Sequence, residues 1–333
     1  MTSRPESRLP RRRTRLAVIA VTTALFGLIA LSGVAWALYT GTIRSSGDQL
    51  VAAPDWVAPT VASSLIGKTQ GGVPGYIHQG GTYNVYANVS DTGGPASGVS
   101  SVNGNLSSVS TGLTSSSLPA GSYSIGGTSY GFRSASLTAN ATLAEGTDTY
   151  PLSSTDSAGN ARTQSGYSVI VDNTVPTASD IQTTNKSGNI AGRPDIGDTV
   201  IYTFSEAIDP NSILANWTGA STNIVARITD SASSDSLTLF NATNVTQLPL
   251  GSTNLAGNYV TASATFGLTG TASTMVQSGN TITITLGTAS SGPATAGGTG
   301  AMIWSPSATA TDRAANAEST ATRTETGTAD KDF

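Results

Sequence analysis

The chain has 333 residues, of which 11% are charged, and it contains 37 glycines, one histidine and no cysteine. This length accommodates about two domains. Abundant Gly, Ser and Thr disfavour helices, which excludes a helical bundle. Without cysteine, disulfides and thiolate metal sites are excluded as well.

The net charge of −4 conceals an uneven distribution along the chain. The first 15 residues hold six arginines and one glutamate, a net charge of +5, and the remainder holds 10 basic and 19 acidic side chains. A basic head is typical of a segment that stays in the cytoplasm. The acidic body disfavours nucleic-acid binding, because its few basic residues are scattered and outnumbered.

Residues 16–40 form an uncharged stretch directly after the arginine-rich head. As a helix this stretch would be about 37 Å long, more than the ~30 Å hydrocarbon core of a bilayer. The sequence therefore predicts export, with the N-terminus inside and the body outside. Two interpretations stay open: a retained single-pass transmembrane anchor, or a signal peptide cleaved near Ala35-Trp36-Ala37 that releases a secreted protein. Residues 41–55 are then a linker.

Alternation of apolar and polar residues dominates the rest of the chain and predicts an all-β fold. The clearest cases are Tyr83–Val89 and Ile282–Leu286. Gly-rich turns separate the predicted strands, as is typical of antiparallel β-sandwiches. One short helix is predicted at Asp209–Leu214, because Pro210 suits a first helical turn. The other predicted strands are 167–171, 199–204, 223–229, 236–240 and 259–266.

An internal repeat indicates two related domains. The segment TDSAGNA at 155–161 recurs as TDRAANA at 311–317, 156 residues later. Pro176 ends a strand shortly after the first copy, so we place the domain boundary there. The predicted domains are 56–176 and 177–327, followed by a flexible tail at 328–333.

These motifs carry a resemblance to a known class of proteins. D-x-A-G-N followed by a strand ending in VDNTVP at 171–176 resembles bacterial immunoglobulin-like (Ig-like) repeats of surface proteins. YTFSEAIDPNS at 202–212 is similar to another bacterial Ig-like type, found in envelope proteins. The arginine-rich head with GVAWALYTG at 33–41 is similar to secreted actinobacterial surface proteins. The resemblance implies two tandem Ig-like β-sandwiches that serve as a non-catalytic spacer, adhesion or assembly module.

Acidic and amide side chains in turns are the best candidates for a binding site. Asp156 lies in the repeated turn, Asp172 and Asn173 lie at the domain boundary, and Asp91 lies in a Gly-rich loop. Ca²⁺ takes six to eight oxygen ligands of these kinds. The sequence therefore predicts a structural calcium site from Asp91, Asp156, Asp172 and Asn173, with Asp156 and Asp172 stiffening the domain joint. Ordinary turn chemistry of Asp and Asn is the alternative.

Other motifs favour structural roles over catalysis. Gly127–Gly131 matches the G-x-S-x-G nucleophile motif, but no helical pattern follows it, so a hairpin turn is favoured. His78 is interpreted as a surface or turn histidine. Glu206 and Asp209 could pair as catalytic carboxylates, yet Asp209 better suits a helix cap. No enzyme activity and no cofactor beyond calcium is expected.

The tryptophans support an alternative function. Trp56, Trp217 and Trp304 could form a platform on which sugars stack, as in a carbohydrate-binding module for cell-wall or extracellular glycans. Trp217 and Trp304 are instead expected to pack in the core, and Trp56 to be exposed. The favoured function is therefore the envelope module, with a protein or glycan partner.

Overall fold

The computed structural model describes residues 54–298, 300–329 and 331–333. These residues form an all-β protein with antiparallel sheets, apart from one short parallel pairing of Tyr76–Ile77 with Ile170–Val171, and with one four-residue helix. The predicted fold class is confirmed to that extent. The strands are β1 Thr60–Lys68, β2 Tyr76–Ile77, β3 Thr82–Ser90, β4 Val99–Gly104, β5 Ser116–Ser117, β6 Ala120–Ile125, β7 Thr128–Arg133, β8 Leu137–Thr138, β9 Gly146–Asp156, β10 Ala161–Val171, β11 Ala178–Thr184, β12 Thr199–Phe204, β13 Thr222–Thr229, β14 Ser236–Asn241, β15 Gln247–Asn254, β16 Ala264–Phe266, β17 Ser273–Ser278, β18 Thr281–Thr285, β19 Ile303–Ser305 and β20 Arg323–Thr324.

Domain 1 contains strands β1 to β10 in two five-stranded sheets that share one hydrophobic core. One sheet has the order β1-β3-β7-β6, with β8 also paired to β3, and the other has the order β2-β10-β9-β4-β5. Val85 of β3 and Leu152 of β9 both belong to the core and are fully buried. Because alternate residues of each strand face inward, the two sheets pack face to face as a sandwich.

Domain 2 contains strands β11 to β20 in a single ten-stranded sheet around a second core. The sheet follows the order β11-β12-β18-β17-β13-β14-β15-β19-β20, and β16 pairs with β13. Its first and last strands approach each other, where the side chain of Gln182 donates to the carbonyl of Thr326 at 2.9 Å. Trp304 fills the centre of the core and packs edge-on against Tyr202 and Phe204.

The predicted short helix is present as α1, residues Pro210–Ile213. Asp209 caps it, because its carboxylate accepts a hydrogen bond from the backbone N–H of Asn211 at 3.1 Å. Pro210 occupies the first helical turn, where its missing N–H has no intrahelical partner to lose.

Two predicted segments differ from the structure. Residues 259–266 form a strand only at Ala264–Phe266, because the buried carboxylate of Asp235 accepts the backbone N–H groups of Tyr259 and Val260 at 2.6 and 2.8 Å. The tail expected to be flexible ends in a buried residue, Phe333, whose ring packs edge-on against Tyr259. Apolar burial therefore holds the end of the chain in domain 2.

No helix within the described residues is long and apolar enough to cross a membrane. The predicted basic head, membrane-spanning segment and most of the linker, residues 1–53, lie outside the described residues.

Candidate functional site: two equivalent acidic clusters

Three segments of domain 1 bring carboxylates together at the end where the chain enters it. Asp55 precedes β1, Asp91 follows β3, and Asp156 ends β9. Because β1 begins and β3 and β9 end at this pole, the three side chains meet there. One ligand oxygen from each lies within 4.8 Å of the others. We call this group the proximal cluster.

Domain 2 repeats the arrangement at its own entry. Asp172 precedes β11, Glu206 follows β12, and Asp312 lies opposite Ile208 in an isolated β-bridge. The ligand oxygens of these three side chains again lie within 4.8 Å of one another. We call this group the junction cluster, because Asp172 belongs to the segment that joins the two domains.

The repeated turn supports both clusters through the same hydrogen bonds. In domain 1 the backbone N–H of Asn160 donates to Asp156 at 2.8 Å, and the Asn160 amide donates to the Asp156 carboxylate at 2.7 Å and to the Asp55 carbonyl at 2.9 Å. In domain 2 Asn316 makes the same three bonds, to Asp312 and to the carbonyl of Asp172, at the same distances. The two sites are therefore structurally equivalent.

Backbone N–H groups stabilise the negative charge of the proximal cluster. Asp55 accepts from the N–H of Val57 at 3.0 Å and of Ser97 at 2.8 Å, and these bonds lower the pKa of its carboxyl group. Asp91 accepts from the N–H of Gly98 at 2.7 Å. The loop after β3 thus closes around the cluster and favours the ionised form of Asp55.

The junction cluster lacks this support at Glu206. Its Oε1 atom is buried and has no hydrogen-bond partner among the described residues. Burial, and then the neighbouring carboxylates of Asp172 and Asp312, raise the pKa of Glu206 to about 7. Burial likewise raises the pKa of Asp312, although its bonds from Asn316 oppose that effect. The cluster is thus short of positive charge and of N–H donors.

A pole-to-pole contact between the domains lies beside the junction cluster. The Lys68 ammonium donates to the carbonyl of Ala314 at 2.8 Å, and the N–H of Val73 donates to the carbonyl of Arg313 at 2.7 Å. The Arg313 guanidinium donates to the hydroxyl of Tyr76 at 3.2 Å. Burial lowers the pKa of Lys68, while attraction to Asp312 opposes this, so Lys68 supplies part of the missing positive charge.

The geometry of both clusters fits a hard divalent cation. Ca²⁺ binds oxygen ligands at about 2.3–2.6 Å, so two ligands on opposite sides of the ion are separated by at most about 5 Å. Oxygens that all lie within 4.8 Å of one another can therefore share one ion. Three carboxylates supply three ligands, and carbonyl oxygens and water would have to supply the others.

The structure divides the predicted calcium ligands between the two clusters. Asp91 and Asp156 belong to the proximal cluster and Asp172 to the junction cluster. The predicted pairing of Asp156 with Asp172 is wrong, because the 11 residues of β10 separate them and span about 36 Å. Asn173 belongs to neither cluster, since its amide oxygen accepts from the N–H of Gln79 and its NH₂ group donates to the carbonyl of Leu143.

Three members of the clusters were not predicted as ligands: Asp55, Glu206 and Asp312. A second repeat could have identified them, because D-x-x-x-P-T occurs at Asp55–Thr60 and again at Asp172–Thr177. A third pair, Ser90-Asp91 and Ser205-Glu206, follows the second long strand of each domain. All three motifs occur in the same order in both domains.

The side chains considered for catalysis take part in strand pairing, a backbone hydrogen bond and a helix cap. Ser129 lies in β7 opposite Ser124, in a hairpin whose turn residues Gly126 and Gly127 have φ values of 55° and 75°. The Nδ1 atom of His78 is hydrogen-bonded to the carbonyl of Gln79 at 2.7 Å. The Asp209 carboxylate caps α1 and does not join Glu206 in the cluster.

The tryptophans do not share a face. Trp304 is fully buried and donates to the carbonyl of Leu250 at 2.7 Å. Trp217 is also buried and donates to the carbonyl of Ala220. Trp56, by contrast, is 76% exposed beside the proximal cluster. The predicted burial of Trp217 and Trp304 and the predicted exposure of Trp56 are confirmed.

The fold and these two sites define an all-β protein with a duplicated acidic cluster at the entry to each domain. No protein-family model and no curated protein sequence matches this chain.

Proposed function

We propose that this chain is a non-catalytic structural and assembly protein of the bacterial cell envelope. It consists of two tandem Ig-like domains outside the cell, carried by the N-terminal segment at residues 16–40. Divalent cations, with Ca²⁺ as the best fit, bind at the entry to each domain and stiffen the joint between them. The envelope location rests on the charge pattern of the N-terminal 40 residues and on the resemblance to surface proteins.

The observation that carries the proposal is the position of the junction cluster. Asp172 belongs to the segment between the domains, whereas Glu206 and Asp312 belong to domain 2, so an ion held by all three would tie that segment to the second domain. Three carboxylates this close repel one another unless a cation or a proton intervenes. A cation there would restrict the angle between the domains, as a spacer requires.

A structural role also accounts for the side chains that could have suggested an enzyme. Ser129, His78 and Asp209 are each held by hairpin, backbone or helix-cap contacts. The exposed Trp56 stands apart from the two buried tryptophans, so the three tryptophans of the described residues form no common stacking platform.

Calcium binding is tested by thermal unfolding of the full chain in detergent micelles, with calcium and with chelator. For a dissociation constant near 10⁻⁴ M, ~1 mM calcium stabilises the folded state by about 1.4 kcal/mol. That corresponds to a rise of a few degrees in melting temperature. The variant Asp172→Ala should lose the part of this rise that comes from the junction cluster and keep the part that comes from the proximal cluster, whereas the control Asn173→Ala should keep the whole rise. Equal melting in calcium and chelator would contradict the cation site.

The location is tested by adding protease to intact cells from which the wall has been removed. Residues after about 55 should be digested, because the arginine-rich head is expected to stay inside. Complete protection of residues 60–330 would contradict the proposed topology.

A further inference from the structure

The hydrogen bonds to the backbone carbonyls at the joint between the domains have a donor side and an acceptor side, while the Arg313 guanidinium donates in the opposite direction to the Tyr76 hydroxyl. The donor side is the loop at 68–76, which follows the first strand of domain 1. The acceptor side is the turn at 312–316 in domain 2. Lys68 and Val73 donate to the carbonyls of Ala314 and Arg313, as described above. A loop that leaves one domain therefore contacts the repeated turn at the entry to the next.

The acceptor side is duplicated at the entry to domain 1. The turn at 156–160 has the same internal hydrogen bonds as the turn at 312–316. Its residues Ser157, Ala158 and Gly159 are exposed, and Trp56 beside it is 76% exposed. This proximal pole is thus an acceptor surface that no other domain covers within the described part of the chain.

The donor side is duplicated at the far end of domain 2. The loop at 185–198 follows β11, the first strand of that domain, as the loop at 68–76 follows β1. Because β11 runs away from the joint and β12 returns to it, this loop lies at the distal pole. Lys186 is exposed there two residues beyond the end of β11, whereas Lys68 is the last residue of β1, and Ile190 and Ile196 are 47% and 45% exposed.

Both exposed poles carry carboxylates, and the distal pole also presents exposed lysines. Three aspartates lie at the proximal pole in the cluster of Asp55, Asp91 and Asp156. Two of the three lysines of the whole chain, Lys186 and Lys331, are exposed at the distal pole. Acidic groups near them are buried and hydrogen-bonded, as in Asp198 and Asp332, or paired, as in the Arg193–Asp195 ion pair at 2.8 Å.

We infer that the proximal pole of one copy binds the distal pole of a second copy, head to tail, in the manner of the joint within the chain. Trp56 would then be covered by Ile190 and Ile196, and Lys186 would reach the carbonyls of the 156–160 turn. The two surfaces differ, so the contact is heterologous and can extend into an open filament. This inference rests on the proposed assembly function and names the partner as the chain itself.

Because the chain has no cysteine, a disulfide between two introduced cysteines would show directly that the two poles are in contact. Full-length Ala158→Cys and Ile190→Cys variants are purified in detergent, mixed and oxidised. The control mixture replaces Ile190→Cys with Val245→Cys, whose position is 77% exposed but lies in the β14–β15 hairpin. We expect at least tenfold more disulfide-linked dimer in the first mixture. Adding Lys186→Glu to the Ile190→Cys chain should lower that yield several-fold.

Equal yields in the two mixtures, or no dimer in either, would overturn head-to-tail association. Stronger linkage of Ala158→Cys to itself would assign the proximal pole to a symmetric contact instead. Lipid vesicles that shield the Ala158→Cys thiol from maleimide, without linkage to Ile190→Cys, would assign the pole to the membrane. The calcium-dependent melting experiment is independent of these results, so the envelope-module proposal survives if only the linkage fails.

Discussion

The two acidic clusters share one backbone frame but differ in how their charge is stabilised. At the proximal cluster the third carboxylate is Asp91, which accepts the N–H of Gly98. At the junction cluster it is Glu206, whose buried Oε1 has no partner among the described residues. One additional methylene and a different loop therefore separate a hydrogen-bonded site from one that needs a proton or a cation.

This difference shows which part of the duplicated site is the same in both domains and which part varies. The hydrogen bonds within the D-x-x-x-N turn have the same lengths in both domains, so this turn forms the common backbone framework of the two sites. The carboxylate that follows the second long strand, Asp91 in domain 1 and Glu206 in domain 2, determines how well the negative charge of the cluster is stabilised. At the junction the cluster also lies near Lys68 of the preceding domain, so its electrostatics depend on contact between domains.

The largest expected effect is the loss of stability when the aspartate of the repeated turn is removed. Asp156→Ala should destabilise domain 1 by about 2–3 kcal/mol in chelator, because the Asn160 donors lose a charged acceptor. Asp312→Ala removes the same bonds but also relieves repulsion with Glu206, so we expect it to cost about 1 kcal/mol less. Urea unfolding of both full-length variants measures the two losses. A greater loss for Asp312→Ala would show that the junction carboxylates do not repel.

A second difference between the repeats lies two residues beyond the turn. Arg162 is exposed, whereas the equivalent Glu318 is 2% exposed and neither carboxylate oxygen has a hydrogen-bond partner among the described residues. Burial raises the pKa of Glu318 to about 8. Because the folded pKa exceeds the unfolded value, this group destabilises the fold increasingly as the pH rises from about 4.5 to 8.

Glu318→Gln should therefore stabilise the protein at pH 9 by about 2 kcal/mol and leave its stability at pH 4 nearly unchanged. Melting temperatures of the variant and the parent between these pH values provide the measurement. Arg162→Gln is the matched control, for which we expect no change in the pH dependence. Parallel pH curves for Glu318→Gln and the parent would refute the assignment.

The smallest expected effects concern the third carboxylate of each cluster, Glu206 and Asp91. Glu206→Gln in chelator at pH 8 should stabilise the protein by about 1 kcal/mol, since it removes a charge whose pKa burial and its neighbours have raised. The gain should vanish below pH 5, where Glu206 is protonated. Asp91→Asn should instead cost about 1 kcal/mol, because its charge-assisted bond to Gly98 weakens. Changes of the same sign in the two variants would remove the distinction between the clusters.

Local patterns were enough to predict several of the strands and the helix. Alternation identified β3, β12 and β18, and the proline at position 210 marked the start of α1. The segment at 259–263 was misassigned because the carboxylate of Asp235, 24 residues away, takes its backbone donors. That contact depends on the three-dimensional path of the chain and leaves no trace in local periodicity.

The candidate site was predicted only in part for the same reason. The types of ligand were evident, but Asp55 and Asp156 lie 101 positions apart in the sequence and meet only through sheet pairing. Only residues 167–171 of β10 were predicted as a strand, so the 11-residue length that places its two ends at opposite poles became evident only in the structure. The repeated D-x-x-x-P-T motif carried the remaining information.

Asp172 gives the joint a mechanical consequence. When the N-terminus is pulled, tension enters domain 2 through residues 172–177 and would ordinarily peel β11 from the edge of its sheet, one bond at a time. An ion shared by Asp172, Glu206 and Asp312 would pass that tension directly to the end of β12 and to the 312–316 turn. Rupture would then require several contacts to fail at once, so the calcium concentration would set the force that the joint withstands.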